Sequence, residues 1–250
     1  MRVLLPVTVL FLTCGIAAAA TISVSGLSDV QDTFVRHDAA ATNYGSQGGL
    51  SVSGATALNK FGAIAGVAET FMKFDVSSAF DAFNTQYGVG NWHLTAATLL
   101  LVEQGLANNA AFSTGAGQFR VQYLADDSWS ASTLTWNNSR TLAGSAGSFL
   151  GTFANVGDGD QRTSLRTFEL DLVADLSADV ASGGTISFYL SPASDTVGFT
   201  FNSTNITSTP TDIRPMPVLE LTAVPEPVSL ALLAAAGLAL LRTERKGTAA

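Results

Sequence analysis

Apolar and polar residues take turns, one for one, in stretch after stretch of this chain. Phe119, Val121 and Tyr123 alternate with Arg120 and Gln122. Phe168, Leu170 and Leu172 alternate with Glu169 and Asp171, and Ile186, Phe188 and Leu190 with Ser187, Tyr189 and Ser191. A period of two belongs to the pleated strand, whose successive side chains point to opposite faces; an amphipathic helix repeats every ~3.6 residues. Thr70 to Val76 has Met72, Phe74 and Val76 on one face and Phe71, Lys73 and Asp75 on the other, as in a half-buried antiparallel strand. Val30–Arg36 (VQDTFVR) also reads as a strand, and Ile22–Val24, Leu50–Ser53, Ser148–Phe153, Val197–Phe201 and Pro217–Thr222 are shorter ones. The last has Leu219 and Leu221 inward. His93–Val102 is apolar on both faces towards its end and reads as a central strand covered on both sides.

Between these runs lie turn residues, a Gly- and Ala-rich loop over Ala55–Ala68, and two short helical patterns. One is Ser77–Gln86, capped by Ser77 or Ser78, with Phe80 and Phe83 three apart; the other is Asp175–Ala181. About ten short strands and no long helix predict an all-β fold, a β-sandwich. The connections are long for a meander and favour the jelly-roll type.

Both ends differ from this body. Met1-Arg2, an apolar run over Val3–Ala17 and Ala18-Ala19-Ala20 read as a secretory signal peptide, with Ala18 and Ala20 at the expected cleavage site and Thr21 as the expected new N-terminus. Cys14 opens a lipoprotein alternative, but Thr13 before it fits a lipobox poorly. At the other end, Ala223–Ala250 runs from Pro225-Glu226-Pro227 through fourteen uncharged residues, Val228–Leu241, to Arg242, Arg245 and Lys246. A helix of that length spans about 21 Å, short of the roughly 30 Å hydrocarbon core, and its basic end is expected to stay cytoplasmic. PEP, a short apolar helix and arginines, in that order, resemble the PEP-CTERM sorting signal of Gram-negative bacteria. The resemblance implies an exosortase-type enzyme that cuts at or near the PEP, an export route tied to exopolysaccharide, and a transient membrane partner. The expected layout is therefore a signal helix over 1–20, a sandwich over 21–222 and an apolar C-terminal helix within 223–250. The expected location is an inner-membrane-anchored intermediate, then the cell surface, the extracellular matrix or the medium.

The chain carries 12 basic and 20 acidic residues for a net charge of −8. Arg2, Arg242, Arg245, Lys246, Glu226 and Glu244 lie in the two ends, so Thr21–Val224 holds 8 basic and 18 acidic residues. That acidity argues against nucleic acid, which selects basic footprints. The body has no cysteine, so packing must hold it without disulfides.

Catalytic patterns are missing. His37 and His93 stand far apart, and there is no HExxH, no G-x-S-x-G and no phosphate loop. Asp126-Asp127 is the most visible carboxylate pair, but neighbours on a strand point apart, and the pair reads as a solvated turn before Trp129. Glu169 and Asp171 share a face whose apolar partners mark it as the outer one. Asp158-Gly159-Asp160 offers two carboxylates in a glycine-rich loop, candidate ligands for Ca2+, the one cofactor left open. Among the aromatics, Trp129 and Trp136 read foremost as core. Trp136, with Asn137 beside it, is also a candidate platform for a sugar ring, and Tyr44 in its polar glycine loop is the aromatic most expected to be exposed.

One further series runs almost the length of the body. It comprises Asp32-Thr33-Phe34-Val35-Arg36, Asn43-Tyr44-Gly45-Ser46 with Leu50, Lys73-Phe74-Asp75-Val76-Ser77, Thr95-Ala96-Ala97-Thr98-Leu99, Trp129-Ser130 with Thr135-Trp136-Asn137, and Leu219-Glu220-Leu221-Thr222. This order resembles the DNRLRE family, jelly-roll surface proteins akin to a carbohydrate-binding module. Where that family often has proline after the tryptophan-asparagine stretch, Ser139-Arg140 stands here, and the Gly/Ala segment after Leu50 looks like an insertion. The resemblance implies an exported, non-catalytic protein associated with extracellular polysaccharide. A purely structural displayed module and a polysaccharide-cleaving enzyme remain the alternatives.

Overall fold

The computed structural model describes residues 18–104, 112–157, 164–206 and 217–226. Eleven strands run in chain order: β1 (Ala20–Ser25), β2 (Val30–Arg36), β3 (Gly49–Ser53), β4 (Ala68–Asp75), β5 (Trp92–Val102), β6 (Gly117–Leu124), β7 (Phe149–Asn155), β8 (Leu165–Leu170), β9 (Thr185–Pro192), β10 (Gly198–Asn202) and β11 (Val218–Pro225). Three short α-helices interrupt them, α1 (Ser77–Tyr87), α2 (Trp136–Gly144) and α3 (Ala174–Ser182), and one 3-10 turn, His37–Ala39, follows β2. None of the described helices is long and apolar enough to cross a membrane. The strands form two antiparallel sheets. One has four strands in the order β1-β11-β5-β8; the other has seven, β10-β3-β4-β9-β6-β7 with β2 also paired to β4. The chain is thus an all-β sandwich.

The alternating residues fill the space between the sheets. Phe119 and Val121 from β6, Phe188 and Leu190 from β9, Met72 and Phe74 from β4 and Leu99 from β5 are all fully buried there. Phenylalanine rings stack through its middle: Phe119 lies 5.1 Å from Phe199 and 5.3 Å from Phe168, centroid to centroid. Asp32 also lies on this buried side. Its carboxylate accepts from Ser203 Oγ at 2.6 Å and from the Thr204 N–H at 2.8 Å, which ties the chain after β10 to β2.

Several expectations are corrected. β5 is covered on both faces only at its end, where Val102 and Val218 are buried with Leu100 packed against them; before that its outer face is open. Trp92 and Leu94 point inward, but Thr95 is an extra residue in the ladder, since Ala96 pairs with Thr222 and Leu94 with Ala223. This bulge shifts the phase, so Ala97, Leu99 and Leu101 are the next inward residues, while Thr95 and Ala96 are exposed. β4 departs the other way. Its face bearing Phe71 and Glu69 is buried too, beneath the segment between β6 and β7. The first turn of α1 is satisfied by Asp75 Oδ1, which accepts from the Ser77 N–H at 2.9 Å; neither Ser77 nor Ser78 caps it. β11 continues past Thr222: Val224 pairs with His93 and Pro225 with Trp92, and Ala223 is fully buried.

Candidate functional site

The segment after β6 builds a surface feature at the end of β2. Thr135 caps α2 through a reciprocal pair, its Oγ1 accepting from the Asn138 N–H while Asn138 Oδ1 accepts from the Thr135 N–H. That cap starts a helix at Trp136 and spends the Asn138 side chain, whose Nδ2 also donates to the Thr133 carbonyl. Loop 40–48 is stitched to this segment. Asn43 Nδ2 donates to the carbonyls of Ala131 and Leu134, both at 2.7 Å, and the Asn137 N–H donates to Ala40. Gly45 lies so tight against the Ala131 carbonyl that a Cβ would collide with it. The rim is held by backbone partners on both sides and is pre-shaped.

Trp136 sits half-buried on this rim. The His37 ring meets it edge-on at 5.3 Å, and the Arg140 guanidinium, one turn along α2, lies 3.6 Å from its centroid. Arg140 Nη2 pairs with Glu69 Oε2 at 2.5 Å, and Tyr189 bonds the same carboxylate. Burial, and then the Glu69 charge, push the Tyr189 phenol well above its usual range, so it stays protonated and donates. The result is an indole edge beside a fixed cation, an imidazole and the exposed Asn137. Such a set can pack its indole edge against a polar ring and hydrogen-bond it through Asn137 and His37. Glu69 is already bound to Arg140 and Tyr189, so the rim offers no free acid–base pair.

The sequence-expected residues fall as follows. Trp136, expected foremost in the core, lies at the margin of a second, smaller cluster, whereas Trp129 is 7 % exposed within it. Tyr44 is half-buried, not exposed, and its ring stacks on Phe34 at 4.4 Å. Tyr44 and Trp136 touch different rings and do not form one paired platform. Asn137 is exposed beside Trp136. Asp126 accepts from the Ser128 N–H and Oγ, while Asp127 turns towards Ser187 and Lys73. The two carboxylates diverge. Asp158 and Asp160 lie outside the described residues, and no acidic or histidine cluster fit for a metal occurs among the described ones. Ala18 accepts from the Tyr87 hydroxyl, and Ala20 opens β1 opposite Ala223. Pro225 and Glu226 close the body: the Glu226 N–H donates to Asn91, and its carboxylate lies 3.3 Å from His93 Nδ1. Pro227, Arg242, Arg245 and Lys246 lie outside the described residues.

In sequence Glu69 carries no signal, His37 is an isolated histidine, and Arg140 stands out only as a departure from the family pattern. Arg140 is readable only once α2 is, because i and i+4 then share a face. The cap that would reveal α2 has Asn where the usual box has Glu or Gln.

No curated protein sequence matches this chain. The model of carbohydrate-binding module family 96 matches residues 23–213, most of the sandwich and the whole rim. With a match over that much of its length, the chain belongs to carbohydrate-binding module family 96.

Proposed function

We propose that this is an exported, non-catalytic protein that holds extracellular polysaccharide at the Trp136 rim, with Trp136, Asn137 and His37 as contacts. The family match over 23–213 carries the reading, and the lack of a free acid–base pair at the rim supports binding without cleavage. The crossed strand order supports a jelly roll. On this reading Ala18 and Ala20 precede signal cleavage, and Pro225-Glu226-Pro227 with the basic end brings in an exosortase and a transient membrane stage. The protein then reaches the surface or matrix.

A glycan array probed with the purified full chain in a sugar-free detergent, with and without calcium, tests the binding. Binding to at least one polysaccharide, with no reducing ends released, is the expected result. Release of reducing ends overturns the non-catalytic reading. The Arg140 guanidinium over one face of the indole favours one second reading, a displayed structural module with no sugar site. Silence across the array in both conditions selects it.

A further inference from the structure

We propose that the outer face of β6 and β7 is a second glycan-contact surface, beside the segment that carries the Trp136 rim, so that the module holds a long chain at two places. The inference rests on the glycan-binding reading above and adds where the rest of the chain lies.

The strand register lays the surface out in two rows. In one, Phe71, Tyr189, Gln122 and Phe149 stand opposite one another across β4, β9, β6 and β7. In the next, Arg120 stands between Ser191 and Thr152. The rows emerge from under the segment that carries Trp136 at β6, where Gln122 and Arg120 come to the surface. Phe71 and Tyr189 lie beneath the segment joining β6 to β7. The open part of the rows therefore spans β6 and β7, one strand spacing of about 4.8 Å, and brings Phe149, Gln122, Arg120 and Thr152 within reach of one sugar ring.

A bulge shapes the β7 side of this surface. Gln122 pairs with Phe149 and Val121 with Gly151, leaving Leu150 as the extra residue. Leu150 is fully buried, and Phe153 faces inward against Phe119. The shift thereby turns both Phe149 and Thr152 outward, flanking Arg120 and Gln122. In a regular strand, residues three apart point to opposite faces. Bulges re-aim side chains in this way beside binding sites.

The side chains so presented suit a sugar. Phe149 is 56 % exposed on β7. Arg36, Arg140 and Arg166 each hold a carboxylate. Arg120 is exposed and, among the described residues, has neither a carboxylate nor a hydrogen-bond partner; its guanidinium lies 5.9 Å from the Phe149 ring. An aromatic face packs against the C–H face of a pyranose, while the guanidinium and the Gln122 amide reach its hydroxyls.

The test is calorimetric titration of the full chain, in sugar-free detergent, with the hexasaccharide and the disaccharide of the glycan giving the strongest array signal. Phe149→Ala is expected to lower hexasaccharide affinity about tenfold, the worth of one aromatic stack. Disaccharide affinity and the melting temperature stay unchanged, and Arg120→Gln acts in the same direction. Unchanged hexasaccharide affinity in both variants overturns the inference while leaving the glycan-binding function intact, as does an equal loss for both lengths. If the unmutated protein binds no glycan at all, both readings fall together.

Discussion

The space between the two sheets and the patch outside the seven-stranded sheet are both dry, yet they are built by different means. Between the sheets, strands supply every second residue and aromatic rings fill the middle: Phe119, Phe168 and Phe199 touch one another. The outer patch combines Val35 of β2, Phe71 of β4 and Tyr189 of β9 with Trp129, Leu134 and Leu142 from the segment joining β6 to β7. Polar bonds fasten that segment. Lys73 Nζ donates to the carbonyls of Asp127 and Trp129, at 3.0 and 2.7 Å, and lies 4.9 Å from the Trp129 ring. Trp129 Nε1 donates to Ser187 Oγ at 3.1 Å, and Ser187 in turn bonds the Asp127 carboxylate. The first core is held by apolar area. The second is a cover tied down by named polar groups, and it shapes the rim on which Trp136 stands.

The contrast is tested first where the effect is largest. Phe119→Ala empties the centre of the main core and is expected to cost about 3–5 kcal/mol, with the whole protein melting earlier. Trp129→Ala removes a ring of similar size from the cover and is expected to cost about 3 kcal/mol. Its signature differs: amide exchange accelerates first over 126–146, while β6 and β9 keep their protection. Equal loss of protection everywhere would show the two cores to be one cooperative unit.

This contrast also explains what the sequence made legible. The main core could be read because most of its residues sit in period-two runs, and Ile186, Phe188 and Leu190 are buried as that period requires; Phe83 of α1 and Leu176 and Val180 of α3 join them from helices. The cover could not, because Trp129, Leu134 and Leu142 follow no strand period, and without them the outer face of β4 reads as solvated. The bulge at Thr95 was hidden as well. A one-residue shift leaves the string of apolar residues intact while changing which ones face in. Trp136 and Asn137 were visible as residue types. Their surroundings, His37 from the end of β2 and Glu69 from β4, come together only through long-range pairing.

Trp136→Ala ranks third. The ring is half-buried at the edge of the cover and packs on His37 and Arg140. About half of a full tryptophan deletion, roughly 2 kcal/mol, is expected in chemical denaturation. A cost equal to that of Trp129→Ala would place Trp136 within the cover, and no cost at all would leave the rim to stand on its backbone bonds alone.

The smallest effect is one of pH, and it reports on the polar fastening itself. Burial pushes the Asp127 carboxyl above its ordinary range; the hydrogen bond from Ser187 works against this, and the nearby Asp179 charge adds to it. Lys73 lowers it and Asp126 raises it by smaller amounts. A carboxyl whose folded pKa exceeds its unfolded value binds more proton when folded, so stability falls as pH rises through that window. The cost is absent below the unfolded value of about 3.9 and complete above the folded one. Asp127→Asn keeps a side-chain oxygen for Ser187 and removes the titration. Its stability relative to the parent is therefore expected to be greatest at neutral pH and to decline as pH is lowered towards 4, measured by paired urea titrations. Asp32, raised by burial in the same direction, is present in both proteins and cancels in the difference. A stability gap that stays flat with pH would mean that the Asp127 carboxylate is hydrated where it lies, and that the cover is fastened by Lys73 and Ser187 without any buried charge.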